Sequence, residues 1–328
     1  VIIMNRIIYD YLTFTTHMHS TSEIVTLLGL NNIRFDQMRG FYGYADRLYF
    51  EGVHIHFNGR DGMGICVEMS GKGCRTFEEF GNGDYDNIFK LILDNYSDDI
   101  SERMMNITRL DVAYDDFIGL LDLPLLISET QKLNFVSRFK DWQCIVGNKG
   151  SSVNHGSNKS HVYIRIYDKK MEQEREDIKH WVRCEIQMRK ECALGFIKLN
   201  DVIDKNYFDA LNNYLKYIIS SDNTTNKRML DIAPYWLKFI ESYESKSIFA
   251  KPAIDYKLSN LYGYVMNQSS GAITTLIDCI GVEKFLSDLV EVRKDKPLNP
   301  KYKHIKELER LESNTNSVLE YLNERGLL

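Results

Sequence analysis

The chain has 328 residues, of which 44% are hydrophobic and 12% aromatic, so it can bury a substantial core in one large or two modest domains. This composition excludes a disordered chain. The net charge of −5 excludes a uniformly basic coat for nucleic acid but leaves room for a local basic groove. We expect no membrane helix, because Asp122 and Pro124 interrupt the most apolar run, residues 117–127, and roughly 18 apolar residues are needed.

The cysteines and the start of the chain indicate where the protein works. The six cysteines form no CxxC pair, and several lie on predicted apolar faces, which is typical of buried, reduced thiols in a cytosol. No signal peptide is visible, so we expect a cytoplasmic protein. Three residues precede Met4, which we expect to be the natural start.

The first part of the chain is predicted to form a strand, a short helix and an antiparallel meander. Residues 7–15 alternate and are rich in aromatic and β-branched side chains, which indicates a strand. Hydroxyl side chains at residues 20–22 can cap a short helix that ends at Gly29. Asn-Gly and Asp-Gly pairs at residues 58–59 and 61–62 then provide turns between strand-like runs.

The rest of the chain is predicted to mix strands and helices and then to become helical. Gly and Ser dominate residues 148–160, which we expect to form a long loop, mobile until DNA orders it. Small polar residues at 220–228 mark the clearest boundary in the chain. Helices are predicted at 85–95, 124–132 and 192–220 and throughout the region beyond 228, with a strand at 142–147 and an exposed helix or turn at 170–179.

Three segments, residues 108–116, 160–170 and 181–189, alternate between an apolar face and a chemically active face. If they share a sheet, one surface is core and the other collects tyrosines, carboxylates and cations, as a metal-dependent phosphoryl-transfer site requires. Glu68 is a third carboxylate that could face this site. The active faces carry Arg109, Asp111, Ala113 and Asp115, then His161, Tyr163, Arg165, Tyr167 and Lys169, then Arg183, Glu185, Gln187 and Arg189.

Four blocks in a fixed order carry a family resemblance across residues 108–191. They are TRLDVAYD, a Gly/Ser-rich loop, IRIYDKKMEQER and HWVRCEIQMRKE, and an earlier block, SGKGCRTFEEF, is also similar. Together they resemble the Rep_trans family of initiators of plasmid rolling-circle replication and related relaxases of conjugative elements. The resemblance implies an α+β nicking domain, with an antiparallel sheet and helices on one face, at residues 4–220. A helical C-terminal region for DNA binding or interaction follows at residues 221–328.

The resemblance implies a function and a nucleophile. The expected reaction is site- and strand-specific DNA nicking and joining through a covalent 5′-phosphotyrosine at Tyr167, by which the protein initiates rolling-circle replication or transfer of a mobile element. A tyrosine needs positive charge or a base to act as a nucleophile near neutral pH. Arg165 and Lys169, two residues away on the same predicted strand face, can supply charge and bind the scissile phosphate, and Arg183 is a further catalytic candidate. Tyr163, which shares that face, is the rival nucleophile.

A metal ion, Mg²⁺ or Mn²⁺, is expected because hard cations prefer oxygen ligands and neutralise phosphate charge. Asp111 and Glu185 are the leading ligands, Glu68 is the next, and Asp115 is held in reserve. For each carboxylate the alternative is an ion pair with a neighbouring arginine. The pairs HMH at residues 17–19 and HIH at residues 54–56 offer a histidine metal site instead, but three-residue matches arise easily in a chain with eight histidines.

The expected partners are origin DNA, both as a duplex and as a single-stranded hairpin, a superfamily 1 helicase and a second copy of the chain in a homodimer. The helicase and the homodimer are implied only by the resemblance, which also places the protein in a bacterial cytoplasm; no membrane partner is expected. We expect sequence specificity to come from the C-terminal helices and from residues 293–306, which carry six Lys/Arg and one Asp.

The alternatives to a nicking initiator or relaxase are a non-catalytic origin-binding accessory protein and a hydrolytic metal-dependent endonuclease. The PYWLKFI run, residues 234–240, slightly favours a conjugative relaxase over a plasmid initiator.

Overall fold

The computed structural model describes residues 4–199, 201–219, 230–242, 262, 265–266 and 269–294. The chain divides into two compact units, Val1–Ala250 and Lys251–Leu328. The boundary predicted from the sequence lies earlier, at 220/221, in a segment outside the described residues. The separation of a nicking part from a DNA-binding part at that point stays a prediction.

Ten antiparallel strands form the main sheet of the first unit, in the order β2-β3-β4-β5-β1-β6-β11-β10-β9-β8. A second, two-stranded sheet pairs β7 (Phe135–Ser137) with β12 (Leu215–Tyr217). The ten strands are β1 (Arg6–Thr16), β2 (Asp36–Arg39), β3 (Asp46–Phe50), β4 (Val53–Phe57), β5 (Ile65–Met69), β6 (Met105–Asp116), β8 (Trp142–Gly147), β9 (Gly150–His155), β10 (Val162–Asp168) and β11 (Val182–Arg189).

Ten helices are described. The first is capped as its sequence indicates, because the Ser20 side chain and Glu23 form a capping box, and Gly29 follows the helix with a positive φ of 69°. The helices are α1 (Thr21–Leu27), α2 (Gly71–Phe80), α3 (Tyr85–Asp94), α4 (Leu123–Gln131), α5 (Lys169–Glu172), α6 (Glu191–Lys198), α7 (Ile203–Tyr214), α8 (Pro234–Glu241), α9 (Ser270–Ile280) and α10 (Val282–Arg293).

Burial follows the alternation of the strands. One face of the sheet is apolar, with Leu12, Ile55, Val112 and Ile186 fully buried against the helices of the first unit. The opposite face, here called the polar face, carries the tyrosines, carboxylates and cations that the three alternating segments were predicted to present. This arrangement confirms the predicted α+β fold with an antiparallel sheet and helices on one face.

A β-bulge in β1 interrupts the alternation of the first strand. Tyr9 pairs with Val112, whereas Tyr11 pairs with Asp111, so Asp10 is an extra residue between two neighbouring pairs. The bulge places Tyr9 on the apolar side, where its ring packs against Tyr85 and Phe89, and leaves Tyr11 on the polar face. The side chain of Asp10 is thereby free to reach across the sheet.

The expectation of one continuous loop at residues 148–160 was wrong in its middle part. Six of its thirteen residues, Gly150–His155, form β9, which pairs with β8 through a tight hairpin and with β10 on its other side, and residues 156–160 remain irregular. The hairpin closes because Gly150 takes a positive φ of 110°, and Val153 anchors β9 in the core. The helical prediction for residues 192–220 also missed β12, which follows α7 directly and pairs with β7.

Helix α8 packs into the core of the first unit, where Trp236 and Phe239 are fully buried against Tyr217 and Tyr114. In the second unit α9 and α10 are separated by Gly281, whose φ is 85°, and they confirm the predicted C-terminal helices. Within the helical region predicted beyond residue 228, residues 295–328 and most of residues 243–268 lie outside the described residues, as does nearly all of the basic stretch 293–306. No helix of the described part is long and apolar enough to cross a membrane.

Because α8 contributes fully buried side chains, Trp236→Ala should lower the free energy of unfolding by about 3–5 kcal/mol, the cost of a large buried cavity. The matched control is Leu237→Ala on the same helix, whose side chain is 37% exposed and should cost about 1 kcal/mol or less. Urea denaturation of the full chain measures both. Equal losses in the two variants would show that α8 does not belong to this core.

Candidate active site

Tyr167 lies on the polar face near the end of β10, opposite Arg183 of β11. Its side chain is only 5% exposed, and its hydroxyl donates a hydrogen bond to Oε2 of Glu185 at 3.2 Å. The two residues are diagonal neighbours on adjacent strands, a separation within reach of long side chains. The predicted nucleophile therefore faces a carboxylate that can accept its proton.

Two cations cover the ring of Tyr167. The guanidinium of Arg165 lies 3.9 Å from the ring centroid, and its Nη2 is 3.5 Å from Oε2 of Glu185. Lys169 was expected on the strand, but β10 ends at Asp168, whose side chain accepts from the Met171 amide and begins α5. The Lys169 ammonium nevertheless lies 5.5 Å from the ring of Tyr167, because the first residue of α5 points its side chain there. The expected cation is therefore present, although it does not come from β10.

Glu172 holds both cations. It pairs with Lys169 through its Oε2 and lies 3.9 Å from Arg165 through its Oε1. Glu172 was not among the site residues predicted from the sequence. The only available signal was its position three residues after Lys169, where a helix would bring the two side chains together.

The surroundings of Tyr167 keep its hydroxyl protonated. Burial and the negative charge of Glu185 raise the pKa of Tyr167, and the nearby Arg183 and Arg165 offset only part of that rise. The phenol is therefore a poor nucleophile in this arrangement. An attack by this hydroxyl would require a base to take the proton as the new bond forms, and Glu185 is the carboxylate that already accepts its hydrogen bond.

Asp111 lies on β6, between Tyr11 of β1 and Gln187 of β11. It is only 2% exposed, and Arg109 donates to both of its oxygens, with Nε 2.9 Å from Oδ1. Burial raises the pKa of Asp111 to about 7, and the nearby charge of Glu185 contributes although Arg109 opposes it. The carboxylates of Asp111 and Glu185 thus lie near each other, and Arg109 is the arginine that partly neutralises Asp111.

The donor set fits a hard divalent cation. Asp111 and Glu185 offer carboxylate oxygens on neighbouring strands, and the repulsion between them would be relieved by a positive ion. Mg²⁺ commonly takes one or two carboxylates and completes its shell with water and substrate phosphate. Within the described ranges no group of three or more His, Cys, Asp or Glu side chains is arranged to hold a metal, so the remaining ligands would come from water and DNA.

Glu68 is not brought to Asp111. It lies on β5, where it pairs with Thr13 of β1 and with His54 of β4, so the ring of Tyr11 and the side chain of Arg109 stand between the two carboxylates. Burial and the carboxylate of Glu68 raise the pKa of Tyr11. The structure thus groups Asp111 with Glu185 and leaves Glu68 in a neighbouring cluster.

The two histidines of the HIH run share the polar face, as alternation requires, and their rings stack 5.9 Å apart. His54 contacts Arg47 through Nδ1 at 2.7 Å, and burial lowers the pKa of both histidines, so both are held neutral. In the N-terminal HMH run, His19 bonds to the Thr16 hydroxyl. These contacts account for His19 and His54 without a metal.

Arg183 and Asp115 form a buried, bidentate ion pair. The Arg183 guanidinium donates to both oxygens of Asp115, at 2.7 and 3.0 Å, and its third nitrogen lies 2.7 Å from the Asp10 carboxylate. Trp181 and Arg6 also donate to Asp115, so this reserve metal ligand has no free oxygen. Arg183 influences Tyr167 by its positive charge, from the paired position on β11. Its guanidinium is occupied by Asp115 and Asp10.

The fold and the site together define a strand-nicking class of protein, and comparisons with known proteins agree. The model of the Replication initiation factor family, Rep_trans, matches residues 105–290, and that of the Rolling Circle replication initiation protein N-terminal domain matches residues 6–93. NicK of Bacillus subtilis (strain 168), named as a DNA relaxase, is 26% identical over 269 residues, which are 75% of this chain and 74% of NicK.

A solved structure of a rolling-circle replication initiator protein from Geobacillus stearothermophilus superposes with a TM-score of 0.66 and 27% identity. The match covers 74% of this chain and 97% of the initiator. The chain belongs to the Replication initiation factor family, because the family model spans more than half of it. The resemblance drawn from the four sequence blocks is confirmed.

Replacing Asp115 should destabilise the fold and change its response to acid. Burial alone would raise the pKa of Asp115, but Arg183, Arg6 and Trp181 together hold it below its ordinary value. A lowered folded-state pKa stabilises the protein above the unfolded-state value of about 3.9 and loses that contribution as the pH falls through the folded-state pKa. Asp115→Asn should cost about 3–5 kcal/mol near neutral pH, the cost of breaking a buried pair.

The measurement is urea unfolding of the full chain at several pH values between 7 and 3. The wild type should lose stability on acidification more steeply than Asp115→Asn, because only the wild type retains this carboxylate. Asp98→Asn, an exposed carboxylate of the same unit, is the control and should cost about 0.5 kcal/mol or less. An Asp115→Asn profile parallel to that of the wild type would contradict the assignment.

Proposed function

We propose that the protein nicks one strand of its origin DNA site-specifically and rejoins it through a covalent 5′-phosphotyrosine at Tyr167, so starting rolling-circle replication or transfer of a mobile element. The observation that carries this proposal is the pairing of a tyrosine hydroxyl with Glu185 beneath two cations, on a sheet face that also presents Asp111. Membership of the Replication initiation factor family supports the reaction class.

The chemistry assigns a role to each side chain. The Tyr167 oxygen forms a bond to the scissile phosphorus while the bond from phosphorus to the 3′ oxygen breaks. The phenolic proton passes to Glu185, and the 3′ oxygen leaves as a hydroxyl with a proton from solvent. Arg165 and Lys169 hold the non-bridging oxygens of the phosphate. Because both cations also contact Glu172, the phosphate must compete with the Glu172 carboxylate for these two side chains.

Mg²⁺ or Mn²⁺, held by Asp111 and Glu185, would supply charge neutralisation at the non-bridging phosphate oxygens. Arg109 already occupies both oxygens of Asp111, so it would share them with the ion or turn away. Arg183 keeps a positioning role, because it fixes the strand opposite Tyr167 and contributes positive charge there. The retained energy of the phosphotyrosine bond allows a later hydroxyl to rejoin the strand without ATP.

The choice between a plasmid initiator and a conjugative relaxase stays open, since NicK is named as a relaxase and the Geobacillus protein as an initiator. A superfamily 1 helicase, a homodimer and a bacterial cytoplasm remain part of the proposal as implied by the family. Sequence recognition by residues 221–328, including 293–306, is proposed on the same ground. A non-catalytic accessory protein is the alternative from another class, and a hydrolytic nuclease would leave free 5′ ends instead of protein-capped ones.

Tyr167→Phe should abolish the covalent adduct, with a loss of nicking on the order of 10³-fold or more, because the attacking oxygen is removed. The assay incubates supercoiled DNA carrying the element's own origin with Mg²⁺ or Mn²⁺ and resolves the products on a denaturing gel. Tyr163→Phe is the matched control, since it removes the same atom from the same strand face, and it should retain the adduct. An adduct that persists in Tyr167→Phe and disappears in Tyr163→Phe would move the nucleophile to Tyr163.

Asp111→Asn should raise the Mg²⁺ concentration for half-maximal nicking by at least about tenfold, because it removes one of two proposed ligands. Glu68→Gln should change that concentration little, since Tyr11 and Arg109 separate Glu68 from the site. Metal titration of the nicking rate measures both variants. A shift for Glu68→Gln as large as that for Asp111→Asn would make Glu68 a third ligand, and no shift for either would remove the metal from this pair.

A further inference from the structure

A second concave feature lies on the first unit, away from Tyr167. A groove of about 580 Å³, here called the aromatic groove, is lined by residues 39–45 and 58–60, which precede β3 and follow β4. A volume of this size suits a small molecule or one nucleotide. The proposed nicking chemistry uses none of these residues.

Two large aromatic rings of the groove are exposed. Phe41 is 51% exposed and Tyr42 is 68% exposed, although the pair lies next to a sheet whose opposite face is fully packed. The guanidinium of Arg47 covers one side of Phe41 at 4.2 Å from its centroid. The Tyr42 ring lies 6.2 Å from Phe41 and 5.8 Å from His56, both in edge orientations, so its exposed surface is available for stacking.

The backbone holds Tyr42 in this exposed position at a cost. Its φ is 57°, a left-handed conformation that is unusual for a bulky aromatic residue. The turn is closed by the Tyr44 amide, which donates to the Phe41 carbonyl at 3.0 Å, and by the Ala45 amide, which donates to the Asn58 carbonyl at 3.0 Å. A strained residue that the surrounding bonds keep in place is a feature of binding sites.

The charged side chains that line the groove are basic, while burial and the nearby carboxylate of Glu68 on β5 raise the pKa of Tyr42. Arg39 and Arg60 line it and are exposed, no Asp or Glu is among its lining residues, and neither arginine forms an ion pair with any described residue. Beneath the groove, Arg47 Nε and His56 Nε2 are buried and have no hydrogen-bond partner within the part of the chain that the structure describes. Exposed rings beside unpaired guanidinium groups match a base and its phosphates.

We propose that the aromatic groove binds unpaired nucleotides of the DNA strand that is nicked, with a base stacked on Tyr42 and Phe41 and phosphates held by Arg39 and Arg60. This proposal rests on the proposed function and adds a single-strand site to it. Five inter-strand steps separate β4, next to the groove, from β10, which carries Tyr167, a distance of about 24 Å. About seven stacked nucleotides at about 3.4 Å each would span it.

The test measures binding of a 12-nucleotide fluorescein-labelled oligothymidylate to the full chain by fluorescence anisotropy, in EDTA so that no metal-dependent cleavage occurs. Tyr42→Gly removes the ring at a position whose φ suits glycine, so folding is preserved, which thermal unfolding checks. It should weaken binding by about 5- to 100-fold, the loss of one stacked base, and Tyr42→Phe should restore binding. Arg39→Gln and Arg60→Gln should each reduce the slope of log affinity against log salt by about 0.7.

Trp142→Leu is the matched control, since Trp142 is an exposed aromatic residue on β8, at the far edge of the sheet from the groove, and it should leave binding unchanged. Unchanged binding in Tyr42→Gly, or an equal loss in Trp142→Leu, would overturn the proposal. Thymidine monophosphate that competes as strongly per molecule as the 12-mer would assign the groove to a free nucleotide and would also overturn it. The covalent adduct at Tyr167, assayed separately on origin DNA, reports on the proposed function alone.

Discussion

The buried ion pair between Arg183 and Asp115 is the interaction on which the rest of the site depends. A guanidinium this deeply buried is tolerated only when its donors are satisfied, and here two carboxylates satisfy it. Asp10 can supply the second carboxylate because the bulge in β1 turns it towards β11, so the pair joins three neighbouring strands. A one-residue slip of any of these strands would break the pair and exchange the two faces of the sheet. The register that this pair requires also sets Glu185 diagonal to Tyr167.

The same contact separates two kinds of carboxylate on one sheet face. Asp115 is surrounded by donors, so its charge is stabilised and it has no oxygen left for a metal. Asp111 receives only one arginine and lies near Glu185, so its charge is poorly compensated. A divalent cation gains more from the second environment than from the first. The difference in hydrogen bonding, and not the residue type, thus distinguishes a structural aspartate from a candidate ligand.

Much of this arrangement could be predicted from the alternation of side chains, because a strand sorts its residues by a period of two without regard to its neighbours. Alternation correctly placed Tyr167, Asp111 and Glu185 on one face. It could not predict the bulge at Asp10, since no residue type there marks the extra position, and it could not predict that the Gly-rich segment becomes β9, whose partners are distant in sequence. Lys169 shows a third limit, because a cap at the preceding residue ends the strand while leaving the cation near its target.

The contacts around Tyr167 would keep the proposed nucleophile inactive until DNA binds. Tyr167 is buried and protonated, and Glu172 occupies the cations that a phosphate would need. A phosphodiester carries one negative charge and can replace the Glu172 carboxylate at Arg165 and Lys169, so substrate binding itself would free the ring and place phosphorus next to the hydroxyl. The proton then has a short path to Glu185. Under the proposed mechanism this arrangement would restrict cleavage to a correctly seated strand, because only a bound phosphate would displace Glu172 from Arg165 and Lys169.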